Sequence, residues 1–360
     1  MAETHATILI PDISGFTEFM TTTELEHSSH AINYLIEAMV NAVGEQYEVS
    51  EIEGDAVLLI KKGPAPSKKE IVDMCLKIFN AFHFRRKWMQ LHTICPCGAC
   101  QAIINLALKF VVHHGPVAEI KVGRFVKQSG PEMIVAHRLL KNSIDNKEYL
   151  LMTEKLSQQA ADSGELVEIE WLSSSEEYAS IGKVDYRFAL LNEARKKVPE
   201  PPVPDDYYQS DDTTYLEIPI YRNYFDTYMT VTNIAGRVEW FPGLQKVEQE
   251  YPQPFIGSVH HCTFDNYHCV VSPMRMTPSD EGVMYAESCA IEETNLSLVY
   301  EYVFRQADPD TCIFGCRFMK RNGELIDEET NAVLFNGMKQ MAERLKEICE
   351  KREMNAPVDQ

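Results

Sequence analysis

The feature that most constrains this chain is the run Lys196-Lys197-Val198-Pro199-Glu200-Pro201-Pro202-Val203-Pro204-Asp205-Asp206, where four prolines fall within six residues. Each proline fixes φ and withholds an amide hydrogen, so neither a helix nor a strand ladder is expected to run through it. With charges on both sides, the segment reads as a stiff, solvated connector. It divides 360 residues, 45% of them apolar, into two stretches that can each bury a core. The expected organisation is a first domain over 1–195, a proline-rich linker over 196–212, a second domain over 213–352 and a tail over 353–360.

Composition narrows the partners. A formal net charge of −20 argues against nucleic-acid backbones and anionic membrane surfaces. It does not argue against a nucleotide, because a bound metal supplies positive charge locally. No apolar run approaches the roughly 20 residues that span a bilayer. The opening Met1-Ala2-Glu3-Thr4-His5 has neither a basic start nor an apolar stretch after it, so no secretory leader is expected. Ten cysteines without a leader then read as reduced thiols of a cytoplasmic protein.

Before the linker, patterning predicts a strand at Thr7–Ile10 ended by Pro11, then a helix through Ala31, Leu35, Ala38, Met39 and Ala42. Tyr47–Glu51 and Ala56–Ile60 read as strands around the turn Glu53-Gly54-Asp55. A long amphipathic helix follows, with Ile71, Met74, Ile78, Phe79 and Phe82 on one face. Leu106–His113, Val117–Lys121 and Arg124–Gln128 read as strands, and a helix is expected from Pro131 to Lys141. The order suggests an α+β sandwich with helices on one side of a sheet.

Two acidic residues stand out by context. Asp12 directly follows the first strand and precedes Ile13-Ser14-Gly15-Phe16-Thr17, while Asp55 sits at the tip of the hairpin turn. If the first strand lies beside that hairpin, both carboxylates reach one edge of the sheet. Such a pair can hold Mg²⁺ or Mn²⁺, which take hard oxygen ligands and keep positions open for phosphates. Gly15, Phe16 and Thr17 would open a helix whose free amides suit a triphosphate. Taken singly, each aspartate has a plainer reading, as a helix cap or as turn chemistry.

Pro11-Asp12-Ile13-Ser14-Gly15-Phe16-Thr17 resembles the first metal motif of class III nucleotide cyclases, and Glu51-Ile52-Glu53-Gly54-Asp55 resembles their second. Gly130-Pro131-Glu132-Met133-Ile134-Val135-Ala136-His137-Arg138 is similar to the helix that supplies a transition-state arginine. The resemblance covers roughly residues 5–192 and implies a ferredoxin-like catalytic domain. It implies two metals at Asp12, Ile13 (through its carbonyl) and Asp55, with Arg138 on the transition state. It also implies a head-to-tail homodimer acting on a purine nucleoside triphosphate. The chain departs from the pattern in three places. Ile134 stands where the family has an asparagine. Glu51 and Lys127 stand at the base-contacting positions, Glu51 in the guanine-type manner. Lys183, in Ile181-Gly182-Lys183, matches the phosphate-binding lysine motif only loosely.

His92, Cys95, Cys97 and Cys100 gather soft ligands in nine residues, but one tight cluster rarely wraps zinc, so a turn with reduced thiols is the preferred reading. For His113-His114 before Gly115-Pro116 a strand-end turn is expected. Residues 213–350 resemble the START-like and polyketide-cyclase-like helix-grip superfamily. The resemblance rests on Phe225-Asp226, Asn233 and Val238-Glu239-Trp240-Phe241-Pro242-Gly243-Leu244. A curved antiparallel sheet would wrap a long final helix striped by Leu334, Met338, Met341, Leu345 and Ile348. That fold implies a cavity for a small apolar ligand, against the plainer reading of a filled core. The leading expectation is therefore a cyclase-like protein, weakly or conditionally active, coupled to a ligand-binding domain. The alternative is a catalytically inactive nucleotide-binding or dimerisation module with a lipid or small-molecule carrier behind it.

Overall fold

Eight consecutive buried residues, Ala6–Ile13, make β1 (Thr4–Ser14) a strand covered on both faces, and such strands lie centrally in a sheet. The computed structural model describes residues 4–23, 25–95, 97–123, 125–161, 169–212, 214–249, 254–294 and 296–352. The tail expected over 353–360 and Arg124 lie outside these residues. The chain divides into two compact units, Met1–Gln90 with Cys97–Pro202, and Leu91–Pro96 with Val203–Gln360.

In the first unit β1 is followed by α1 (Phe16–Thr22), α2 (Leu25–Val43), β2 (Glu48–Glu53), β3 (Ala56–Lys62) and α3 (Lys68–His92). Then come α4 (Gly98–Ala102), β4 (Ala107–Val122), β5 (Phe125–Ser129) and α5 (Pro131–Leu139). β6 (Tyr149–Thr153), α6 (Glu154–Gln159), β7 (Leu172–Tyr178), β8 (Gly182–Leu190) and α7 (Asn192–Lys196) complete it. The strand order is β2-β3-β1-β4-β6-β8-β7, with β5 folding back on β4. β1 is antiparallel to both β3 and β4, which is the ferredoxin-like βαββαβ arrangement.

Two strand ends differ from expectation. β1 runs through Pro11, which pairs with Phe110 of β4, while the β3 register is the same at Leu9↔Leu59 and at Asp12↔Ala56. The missing proline amide falls between those two pairs. β4 likewise runs unbroken through His113-His114-Gly115-Pro116, because β1 supplies partners along its whole length, including His5↔Pro116 and Ile8↔His113. The two histidines are therefore mid-strand and buried, not at a strand-end turn.

The second unit contains β9 (Leu216–Ile220), α8 (Tyr224–Thr232), β10 (Leu244–Gln249), β11 (His260–Phe264), β12 (His268–Ser279) and β13 (Gly282–Ile291). It ends with β14 (Leu296–Asp308), β15 (Thr311–Lys320) and α9 (Glu328–Arg352). These strands form one antiparallel sheet in the order β10-β11-β12-β13-β14-β15-β9. Met338, Met341, Ala342, Leu345 and Cys349 bury one stripe of α9 in a core with Trp240, Tyr228, Phe304 and Phe314. No residue of its first ten, 328–337, is buried.

Ile94 joins this core although it precedes β9 by more than a hundred residues. Its carbonyl accepts the Tyr228 hydroxyl, Thr93 bridges Phe255, and the Ile256 amide donates to the His92 carbonyl at 2.7 Å. The proline-rich segment is also less solvated than its composition predicts. Tyr207 is buried with Met274, Ala286 and Val299, and its hydroxyl donates to Glu301 Oε1 at 2.6 Å. Arg275 lies over the Tyr207 ring and pairs with Asp206 at 2.7 Å.

Candidate functional site

β1 carries Asp12 between two partners fixed by register, Ala56 at the start of β3 and Lys109 on β4. The Lys109 ammonium lies 3.0 Å from Asp12 Oδ2 and donates to the Leu140 carbonyl at 3.1 Å. Asp55 occupies the tight turn from β2 to β3, where Gly54 takes a positive φ of 66° that a side chain would resist. The Asp55 carbonyl accepts the Ile13 amide at 3.1 Å, which ties the turn to β1 one residue beyond Asp12.

These contacts bring Asp12, Ile13 and Asp55 together at one end of β1. Burial, and then the Asp12 charge, push the Asp55 carboxyl above its ordinary range, while Lys109 acts in the opposite sense. Two carboxylates thus meet one ammonium in a half-buried place. Hard oxygen donors with negative charge in excess fit a divalent cation, so the residues present are compatible with the metal that the motif implies.

The remaining expected residues are distributed as follows. Gly15 takes φ 90° at the start of α1, and its carbonyl accepts the Phe19 amide at 3.0 Å. Phe16 and Thr17 form the first turn of that seven-residue helix, with the Phe16 ring close to Gly54. Glu51 and Lys127 meet each other: the ammonium lies 2.8 Å from Glu51 Oε2 and 3.8 Å from Glu53 Oε1. Glu51 Oε1 is buried with no hydrogen-bond partner among the described residues. His137 on α5 lies 3.5 Å from Glu53.

Arg138 projects from α5, and its guanidinium makes no hydrogen bond or ion pair among the described residues, although its carbonyl accepts the Tyr178 hydroxyl. Ile134, one turn earlier on the same helix face, is 54% exposed. Lys183 on β8 is exposed and pairs with Asp185 at 2.7 Å. No hydrogen bond or ion pair among the described residues joins Arg138 or Lys183 to Asp12 or Asp55.

Sequence reasoning missed Lys109, whose signal is a lone lysine inside the apolar run Leu106–His113. It also missed a chain of polar contacts through Glu132 of α5, buried at its His113 end and exposed at its Lys155 end. His113 bonds Glu132 through Nε2 and Thr153 Oγ1 through Nδ1 at 2.8 Å, and Lys155 donates to Glu132 at 2.6 Å. The His113 bond first, then Lys155, hold Glu132 down at about 2 against its burial. Of the cysteine cluster, Cys97 caps α4 by accepting the Cys100 amide.

Among solved structures, the chain is similar to proteins of the nucleotide cyclase class over about half its length. The guanylyl cyclase Cya2 is 14% identical at a TM-score of 0.38, covering 52% of this chain and 92% of that one. The adenylyl cyclase CyaB from P. aeruginosa is 14% identical at 0.37, covering 52% and 95%. Residues 32–149 match a family described as "Protein of unknown function (DUF2652)", a span that holds Glu51, Asp55, Lys109, Lys127 and Arg138 and begins beyond Asp12. The uncharacterized protein Rv2561/Rv2562 of Mycobacterium tuberculosis (strain ATCC 25618 / H37Rv) is 35% identical over 124 residues, or 34% of this chain. The match spans 58% of that relative's own length. No helix among the described residues is long and apolar enough to cross a membrane.

Proposed function

We propose that the first unit binds a purine nucleoside triphosphate together with Mg²⁺ or Mn²⁺, as a divergent class III cyclase-like module whose turnover is weak or conditional. The observation that carries this reading is the convergence of Asp12 and Asp55 at one end of β1, with the Ile13 amide tying the turn in place. Asp12, Asp55 and the Ile13 carbonyl would hold the ion. A divalent cation there supplies charge for the phosphates and makes the nucleotide 3′-hydroxyl easier to ionise. In the reaction the resemblance implies, that oxygen forms a bond to the α-phosphorus while the bond to pyrophosphate breaks. Arg138, whose guanidinium makes no hydrogen bond or ion pair among the described residues, is the group that would neutralise charge on the phosphate oxygens. The resemblance brings it from the opposite subunit of a homodimer.

Two observations favour weak turnover or a purely binding role. Ile134 cannot donate the hydrogen bond that the family's asparagine makes, and loss of one such donor costs on the order of 100-fold in rate. Glu51 and Lys127 are engaged with each other, and Glu51 Oε1, buried and without a hydrogen-bond partner among the described residues, is the acceptor left for a base once the pair opens. Guanine, with donors at N1 and the 2-amino group, is the purine that matches an acceptor.

For the second unit we propose a small apolar ligand held in a helix-grip type domain. The unburied first turns of α9, with Val333 69% and Phe335 39% exposed, support it. The half-buried Tyr300, Phe318, Cys289 and Ile291 of the sheet also support it.

The test is incubation with Mn²⁺ and GTP or ATP, with mass spectrometry for cyclic product. Asp12→Ala combined with Asp55→Ala is the control. Product that vanishes in the control establishes a cyclase. Metal-dependent binding without product leaves a binding module, and absence of both overturns the reading.

A further inference from the structure

We propose that Lys109 takes the place of one of the two cations implied for the Asp12–Asp55 pair, so that the site accepts a single divalent ion. This rests on the metal reading of the first unit given above. The motifs call for two metals, yet the protein already places a cation of its own among their ligands.

Three observations carry the inference. First, Lys109 is directly opposite Asp12 in the β1–β4 ladder, so sheet register delivers it to the carboxylate, not a mobile surface excursion. Second, its ammonium is anchored twice, at 3.0 Å to Asp12 Oδ2 and at 3.1 Å to the Leu140 carbonyl. Third, the pair is largely sheltered, with side-chain exposures of 19% for Lys109 and 12% for Asp12, so water screens it weakly.

The consequence follows from counting lone pairs and charges. A carboxylate that bridges two ions must offer an oxygen to each. The Lys109 ammonium on Asp12 Oδ2 repels a second ion from that oxygen, so Oδ1 and the Asp55 carboxylate are the donors that face one ion. One ammonium and one divalent cation give three positive charges against the two carboxylates, leaving one positive charge to attract a phosphate. Two divalent ions would add two more beside an ammonium that cannot leave its strand. Lys109 thus acts on metal number and affinity, and it is a positioning residue, touching neither phosphate nor base.

The experiment counts Mn²⁺ bound per chain of the full-length protein by the loss of the free-ion electron paramagnetic resonance signal, using manganese chloride alone. Wild type is expected to bind one ion, and Asp12→Asn none. Lys109→Met, which keeps the stem and removes the charge, is expected to bind two ions, or one at least about tenfold more tightly. Lys109→Arg retains the charge and is expected to stay at one. Circular dichroism verifies that each variant is folded. Two ions in wild type, or Lys109→Met identical to wild type, would overturn the role of Lys109 while leaving the metal site intact. No ion in wild type but one in Lys109→Met would overturn the count and keep Asp12 and Asp55 as ligands. No ion in either protein would overturn the metal reading and this inference with it.

Discussion

Each unit buries carboxylates against a cation, but the two arrangements are closed to different degrees. In the second unit Glu287 receives both terminal nitrogens of Arg237, at 2.9 and 2.7 Å, and the hydroxyls of Tyr285 at 2.9 Å and Tyr302 at 3.2 Å. Burial would push the Glu287 carboxyl up, yet the charge and hydrogen bonds of Arg237 outweigh it and hold it below its ordinary range. In the first unit Lys109 pairs with Asp12, and Asp55 is pushed up by burial first and then by the Asp12 charge. A closed set of bonds fixes a fold. A set with charge left over is poised for something that arrives from solution.

This contrast can be broken most directly by Arg237→Met. It strands a buried carboxylate and is expected to cost about 3–5 kcal/mol in urea unfolding, with much of that recovered by adding Glu287→Met. Asp12→Asn, in the open arrangement, leaves Lys109 bonded to the Leu140 carbonyl, and is expected to destabilise less than Arg237→Met while abolishing Mn²⁺ binding. Equal losses from the two changes would remove the distinction between them.

The next effect is a pH dependence confined to the closed layer. His260 is buried beside Arg237 and Glu287, and burial first, then the Arg237 charge, push it down to about 4. Below the ordinary histidine value the unfolded chain takes up a proton that the fold refuses. The stability held by neutral His260 is therefore full above that value and is lost as pH falls toward 4, by a total on the order of 3 kcal/mol. Unfolding midpoints across this window are expected to be flatter for His260→Phe. An unchanged slope would place His260 outside the layer. A smaller effect than that of the histidine belongs to Tyr207→Phe, which deletes one hydrogen bond to Glu301 and is expected to cost about 1.5 kcal/mol in the same assay.

What the sequence could reveal follows from how local each feature is. Asp12 and Asp55 are legible because each sits in a short motif beside a strand or in a turn, and the strands themselves follow from apolar runs. Lys109 is not, because it meets Asp12 only through the register of two strands nearly a hundred residues apart. Glu51 and Lys127 could be assigned to base-contacting positions, but their mutual pairing depends on β5 folding back on β4. Arg237 and Glu287 had no signal, since a short helical turn and a strand place them together. The strands β7 and β8 are hard to read because they are largely exposed at one side of the sheet, whereas the wholly buried Tyr149–Thr153 of β6 is a short apolar run that sequence reasoning missed. The linker misled by composition: prolines and acidic residues conceal Tyr207, whose ring the second sheet receives.

The second unit draws Ile94 into its core from a stretch that precedes Tyr228 by 134 residues. During synthesis, chains mature in the order they leave the ribosome, with N-terminal portions folding first. Here the segment 91–96 emerges early, and its partners in the second unit follow long afterwards. It must wait, unsheltered, until β9 through α9 have been made. A fragment beginning at Val203 would lack that piece altogether. The two halves are separable as masses of contacts, but their birth is entangled, and a nascent chain would expose Ile94 for the whole interval.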